Sequence, residues 1–481
     1  MLLKVHDKIN REYDTIVAGS GWAGMTAANK LGKEGHRVLL LEAHNKLGGL
    51  ATWFKRASGE HIFDVSLHGF PVGMIKTCRR YWNKEISDKI HKLKSVRFLN
   101  PQYQLASDFT KEDFSRILVE HFKQTPETVT AFFDFLAQMN FYDASPMTNG
   151  ELFQKFFPDR NDIVRFLLEP ITYANGSTLE DPAITYGIVF CNFMSKGVYI
   201  FQGGTDTLIG MLREEMLNNN VDIRMQSKVS KIVIENGVVA GVMVKDEFIR
   251  AKSVLSNGNL ISTIFDMTGS EHFSAEYVDA AKKVRLNTSS CQVYMGIKKG
   301  ESIPFVGDLI FCSDDETFST DGLLNPKVTS QTFSLYYPEM RPHLENRFAI
   351  VSSSNSRFSD WENLSEEQYC ERKKYLIERA LIGIEKVIPD IRRKIDFVEA
   401  ATPLTVEYYT HHKRGASFGT KFEGLDVSMN MHKQIPGLFH SGSVGIIMSG
   451  WLGAANYGII QAHEVNQFLY NKKEDGHHVN A

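Results

Sequence analysis

A strand, a glycine-rich turn, a helix and an acidic strand end follow one another closely at the start of the chain. Residues 13–18 form an apolar strand, and Gly19-Ser20-Gly21-Trp22-Ala23-Gly24 follows it directly. A helical run covers 25–32, and a second apolar strand over 36–41 ends at Glu42. Gly19 permits the tight turn, and Gly21 lets bare backbone approach a pyrophosphate. Gly24 lets the helix pack closely on the sheet, with its positive N-terminal end toward the phosphates. A carboxylate at Glu42 can accept both hydroxyls of an adenosine ribose. A glycine loop alone is common; with both flanking strands and the acid it predicts a dinucleotide-binding βαβ unit.

The next residues choose between dinucleotides. Ala43-His44-Asn45-Lys46-Leu47-Gly48-Gly49 places a glycine pair just past the acidic end. Two adjacent glycines let backbone pass close to a second part of the cofactor. The whole stretch resembles the extended fingerprint of the FAD-binding amine oxidase and phytoene desaturase superfamily, where this pair runs along the flavin's pyrophosphate. The resemblance implies FAD. No second GxGxxG is present to suggest a separate NAD(P) domain.

A chain of 481 residues is too long for one simple core, which suggests two intergrown domains. The formal net charge of −3 implies no nucleic-acid partner. The five cysteines (Cys78, Cys191, Cys291, Cys312, Cys370) are scattered without CxxC or metal-like spacing, so neither a metal site nor a disulfide framework is expected. Residues 1–12 are charged and lack the apolar core of a leader, and no apolar run reaches the roughly 18 residues of a membrane span. A cytoplasmic protein is expected, and peripheral contact with a membrane surface is compatible with it.

The order of patterns predicts an α/β fold with a discontinuous, Rossmann-like ββα FAD-binding domain. Its parts are 1–95, 198–284 and 421–470, with an inserted helical, aromatic-rich region at 96–197 and a mixed-sheet substrate domain at 285–420. Residues 471–481 read as a polar, disordered tail. In the helical region Thr110 with Asp113, Thr125 before Pro126, and Thr148 read as helix starts. Phe114, Phe132, Phe135, Phe153, Phe156 and Phe157 fall on helical faces, as packed core, as the wall of an apolar tunnel or as a surface that docks on lipid. The β-branched runs 229–235 and 238–244 join at Asn236-Gly237, the preferred pair for a type I′ hairpin. A helix is expected over 366–387 and strands over 290–298 and 347–352.

Towards the C-terminus, Leu438-Phe439-His440-Ser441-Gly442-Ser443 and then Ser449-Gly450-Trp451-Leu452-Gly453 read as a strand, a glycine turn and a helix start. This resembles the C-terminal FAD motif of phytoene desaturases, carotenoid isomerases and retinol saturases. The resemblance implies that Gly450, Trp451 and Leu452 lie beneath the isoalloxazine, with the helix N-terminus toward its pyrimidine edge. It puts Gly442 and Ser443 near the ribityl-phosphate arm and the Val229 backbone at the adenine. Glu42, His44, Lys46, Gly48, Gly49, Phe54, Phe63, Asp64 and His68 together are most similar to the retinol saturase and carotenoid isomerase branch. Thr402-Pro403-Leu404-Thr405, Tyr408, Gly415-Ala416 and Phe418-Gly419 agree with it.

Four positions depart from the pattern: Leu50 stands for a common Arg, Ser66 for a glycine, Ser443 for an acid or amide, and Ile447-Met448 for Pro-Gly. They bear on substrate and reaction direction rather than on flavin binding. The chemistry implied is hydride exchange with carbon–carbon double bonds of a polyene or isoprenoid lipid: saturation, desaturation or redox-neutral isomerisation. No motif specifies the electron partner. His68 is the first candidate for proton handling, because the resemblance places its loop near the flavin; Tyr408 is the second. A flavin amine oxidase and a non-catalytic prenyl-binding escort, resembling the Rab GDP-dissociation inhibitors, remain as alternatives.

Overall fold

Six consecutive buried residues, Tyr13 to Ala18, leave the strand Glu12–Ala18 no solvent face. Such a strand needs partners on both edges and layers on both faces. The computed structural model describes residues 12–56, 60–139, 147–342 and 347–478. In it Glu12–Ala18 pairs in parallel with Val38–Leu41 on one edge and Glu247–Ser256 on the other. Val221–Arg224 adds beyond Val38–Leu41. The two halves of Glu247–Ser256 take different partners on their free edge: Val238–Val244 antiparallel on the first, Leu438–His440 parallel on the second. The result is a seven-stranded Rossmann-like sheet drawn from three separated stretches of the chain.

The hairpin Val229–Glu235 and Val238–Val244 has the bounds its residue pattern implies. Asn236 and Gly237 have φ of 53° and 77°, the doubly positive pair that a type I′ turn requires. The helix Trp22–Lys33 covers one face of the sheet and packs on Gly450–His478. The two helices touch so closely at Gly458 that an added Cβ would lie 2.3 Å from the Ala23 carbonyl oxygen.

The second sheet is mixed and also seven-stranded, in the order Ile395–Ala401, Ser289–Ile297, Ala349–Ser356, Ser330–Tyr336, Leu309–Ser313, Val96–Leu99, Gln104–Ser107. Its last two strands come from a region whose pattern predicts helices. Val96–Leu99 is four residues long and pairs in parallel with the distant Leu309–Ser313, so local periodicity carries no sign of it. The helix Glu366–Glu385 covers the outer face of this sheet.

The inserted segment forms the helices Lys111–Glu120, Pro126–Gln138, Asn149–Phe156, Asn161–Asn175 and Ala183–Met194, and Asn161–Asn175 packs on the second sheet through Phe166 on Phe98 and Tyr173 on Phe311. Thr148 and Glu151 form a full capping box, each side chain bonded to the other's backbone N–H. Thr110 caps its helix singly, because Asp113 accepts from Ser107 Oγ and the Asp108 N–H instead. Phe114, Phe132, Phe153 and Phe157 are buried against one another and against Phe166 and Phe190, as in the stacked pair Phe114–Phe166 with centroids 4.3 Å apart. None of the six phenylalanines singled out above lines the main cavity. They are core.

The expected disordered tail is corrected. The last helix runs through His478. Good helix formers (Lys472, Lys473, Glu474) and the lack of proline let its backbone hydrogen bonds continue past Asn471. The ends, 1–11 and 479–481, lie outside the described residues.

Candidate functional site

The strand ends of the first sheet build a cradle. After Ala18 the chain turns at Gly19, where φ is +107°. The Gly19 N–H donates to the Leu41 carbonyl at 2.8 Å, and the helix Trp22–Lys33 begins three residues later. A Cβ at Gly24 would lie 2.2 Å from the Gly19 carbonyl oxygen and 2.8 Å from Asn257 Nδ2. Asn257 follows the strand Glu247–Ser256 and donates from Nδ2 to the Gly19 carbonyl at 3.3 Å, tying the neighbouring strand end to the turn. The residue pattern marks Asn257-Gly258 only as a strand end, so this brace is new. The Gly48 N–H donates to the Ser20 carbonyl at 3.0 Å, which draws the second glycine pair against the first turn.

Glu42 lines the cavity, and the chain's own donors already hold it. One carboxylate oxygen accepts from the Ser20 N–H (2.8 Å) and Oγ (2.5 Å), the other from the His44 N–H (2.8 Å). Of about four acceptor positions on a carboxylate, roughly one remains for a ligand hydroxyl, rather than the two expected from the sequence. Gly19, Gly21, Glu42, Gly48, Gly49, Val229 and Ser443 share one cavity of about 1110 Å³ with Gly450, Trp451 and Leu452. The donor set suits a dinucleotide diphosphate: bare glycine backbone, a helix N-terminus and a fixed carboxylate.

The C-terminal motif closes this cavity from the other side. Gly450–His478 starts at its wall, with Gly450, Trp451, Leu452 and Gly453 all lining the cavity. Trp451 is clamped by Trp22 (centroids 5.3 Å apart) and Phe70 (5.8 Å), and its Nε1 donates to the Ser66 carbonyl at 3.2 Å. Ser66 Oγ donates to the Leu50 carbonyl at 2.8 Å, so two of the four departures from the family pattern meet here. A third, Ile447-Met448, adjoins Ile446, a β-branched residue at φ +63° and a strained position.

Behind the motif, His440 Nε2 bonds the Gly258 carbonyl at 3.0 Å, and its Nδ1 bonds Ser428 Oγ at 2.6 Å. Burial pushes the His440 imidazole down to about 4. The folded state therefore favours neutral His440. This stability is fully present above pH 6.5 and is lost as pH falls toward 4, by roughly 3 kcal/mol. Urea midpoints between pH 7 and 4 should fall less steeply in His440→Gln than in the parent; equal slopes would contradict this.

His68 reaches the far half of the cavity. Its Nδ1 bonds Ser334 Oγ at 2.9 Å and its Nε2 bonds Ser353 Oγ at 3.3 Å, both on the second sheet. Burial pushes it down to about 4, outweighing the opposing charge of Asp64, so the ring is neutral near pH 7. Three other candidates lie elsewhere. Tyr408 is 74 % exposed and lines a separate shallow pocket with His44 and His411, because the short helix Pro403–Thr410 turns Val406 and Tyr409 to the main cavity instead. Lys46 is drawn away by the Trp53 carbonyl, to which Nζ donates at 3.1 Å, and by the Trp53 ring at 4.4 Å. Gly442 is a packing glycine: a Cβ there would lie 2.1 Å from the Gly258 carbonyl oxygen, and it does not line the cavity.

An NAD(P)-binding Rossmann-like domain family matches residues 17–84. The prolycopene isomerase of Daucus carota is 22 % identical over 95 % of this chain and 80 % of its own length. The 1-hydroxycarotenoid 3,4-desaturase of Flavobacterium sp. (strain P99-3) is 23 % identical over 89 % and 93 %, and the human all-trans-retinol 13,14-reductase 21 % over 93 % and 84 %. The chain is thus similar over most of its length to carotenoid isomerases, carotenoid desaturases and retinol reductases. Similarity to amine-oxidase-like flavoproteins implies a flavin cofactor. Among solved structures, an oxidoreductase from Methanosarcina mazei shares the fold at 16 % identity and a TM-score of 0.65, over 94 % of this chain and 99 % of its own. Putrescine oxidase bound to putrescine does so at 13 % and 0.64, over 95 % and 99 %. The isomerase, desaturase and reductase similarities cover 95 %, 89 % and 93 % of this chain.

Proposed function

We propose that this chain is an FAD-dependent oxidoreductase acting on carbon–carbon double bonds of a polyene or isoprenoid lipid. One observation carries the reading: the dinucleotide cradle opens, within a single cavity, into a chamber walled by Phe109, Ile171, Phe193 and Phe311. FAD, when bound, would supply hydride exchange at N5: hydride and proton lost from a polyene desaturate it, hydride and proton gained saturate it, and hydride transfer with return isomerises it. The chain's own part is to orient and to exclude water. Gly19, Gly21, Gly48 and Gly49 admit the diphosphate, and Glu42 holds the ribose. Trp451, locked by its bond to Ser66, supports the ring. His68, neutral and tethered at both nitrogens, handles the proton or polarises the substrate.

The lining contributed by the second sheet contains no carboxylate, which favours a polyene over an ammonium substrate. No helix among the described residues is long and apolar enough to cross a membrane. Peripheral membrane contact would suit an enzyme whose substrate is stored in lipid.

Anaerobic mixing with polyenes tests the proposal, with the flavin oxidised in one series and prereduced in the other. The polyene absorbance should change in at least one flavin state. His68→Gln should keep the flavin spectrum and slow the change about 10²-fold. Polyenes unchanged in both series, with amines reducing the flavin and yielding peroxide in air, would favour the amine oxidase instead.

A further inference from the structure

One wall of the chamber has the wrong chemistry for a plain hydrocarbon. In the second sheet Gln292 lies opposite Ser353, Ser353 opposite Thr332, and Thr332 opposite Phe311. Two residues along, Ser290 lies opposite Asn355. Side chains alternate along a strand, so these residues share a face, and all six line the cavity. The opposite face of the same strands carries Cys291, Val293, Ile310, Phe333 and Ile350 in an apolar core. The polar side chains on that opposite face, Gln331, Ser352 and Ser354, are few, and the first two bond each other at 3.0 Å.

Some of these groups are satisfied within the protein. Ser290 bonds Ser417 at 2.9 Å, Ser353 bonds His68, and Gln292 Oε1 accepts from the Tyr294 hydroxyl. The Thr332 hydroxyl, the Asn355 amide and the Gln292 amide nitrogen make no side-chain hydrogen bond to any described residue. Thr332 and Asn355 are only 5 % and 7 % exposed, and what exposure they have faces the cavity. Buried polar groups require partners. The charged side chains of the cavity, Glu42, Lys228 and Asp266, come from the first sheet and the turn after Glu247–Ser256, not from this wall. A carboxylate or ammonium here would be desolvated without a counter-ion.

We propose that Thr332, Asn355 and Gln292 form a recognition site for an uncharged oxygen function, a hydroxyl or carbonyl, carried by the polyene. This deepens the proposed function and rests on it. The two amide N–H groups donate to the oxygen, while Asn355 Oδ1 accepts from a hydroxyl. The apolar remainder of the substrate lies toward Phe311 and the helices.

The test uses flavin-loaded protein and one polyene skeleton with four ends: all-trans-retinol, its hydrocarbon analogue ending in methyl, retinoic acid and retinylamine. Dissociation constants come from polyene absorbance or fluorescence, and flavin absorption is recorded in the same samples. Retinol should bind about tenfold or more tightly than the hydrocarbon, acid or amine. Thr332→Val and Asn355→Leu, both close in volume to the residues they replace, should together erase most of that preference. They should leave hydrocarbon binding and the flavin spectrum unchanged. Equal binding of hydrocarbon and retinol in the parent protein would overturn this inference and leave the polyene function standing. So would variants that lose flavin without moving the ratio, since the wall would then serve the cofactor. Should no polyene bind, the function itself fails and this inference falls with it.

Discussion

Gly24→Ala is expected to strip the protein of most of its flavin. Two effects oppose each other at this position. Alanine gains up to about 1 kcal/mol of helix propensity over glycine. The added Cβ, however, meets the Gly19 carbonyl oxygen at 2.2 Å and Asn257 Nδ2 at 2.8 Å. The first of these is backbone and cannot rotate away, so the turn itself must open. Overpacking of this kind costs about 1–3 kcal/mol or more, and it falls on the segment that must meet the diphosphate. Flavin affinity should drop about tenfold to a hundredfold, read as flavin content after gel filtration and as a titrated dissociation constant. Gly210 is the control: it lies in the helix Gly204–Asn218, and a Cβ there meets nothing within 4 Å. Gly210→Ala should raise stability by up to about 1 kcal/mol with flavin unchanged. Full flavin retention in Gly24→Ala would contradict the cradle.

The second large effect is on folding. Arg341 is buried between two carboxylates, with Nη2 against Asp64 and Nη1 against Asp206 at 2.8 Å. Asp64 also accepts from the Thr205 N–H at 2.7 Å and Oγ1 at 2.5 Å, in the first turn of the helix Gly204–Asn218. This cluster joins the hairpin strand His61–Asp64, and through it the loop of His68, to that helix. Arg341→Met would leave two carboxylates beside each other with their cation gone, which costs about 3–5 kcal/mol. The urea midpoint should fall accordingly, and the double variant with Asp64→Asn should recover part of the loss. A single variant within 1 kcal/mol of the parent would show that the helix N-terminus alone holds Asp64.

The cradle was legible because its requirements are local. Gly19, Gly21, Gly24 and Glu42 act within one βαβ unit, and glycine at a fixed offset states a backbone need directly. The 229–244 hairpin was legible for the same reason, through Asn236-Gly237. Partners far apart in the chain were not. Val96–Leu99 is a strand only because Leu309–Ser313 lies beside it, and Arg341 has meaning only against Asp64 and Asp206. The helix Asn161–Asn175 carries Pro170 inside it, a residue that argues against a helix until tertiary packing overrides it. The polar wall needed sheet register, since Gln292, Ser353 and Thr332 come from three strands and share no sequence motif. Tyr408 and Lys46 matched a family pattern, but orientation and a competing carbonyl turned them away from the cavity.

The visible spectrum of the purified protein, with the released cofactor identified after denaturation, tests the account most directly. Flavin bands and FAD in the supernatant are the expected result. A colourless protein that also fails to take up added FAD would contradict the flavoenzyme reading and bring a cofactor-free lipid-binding role forward.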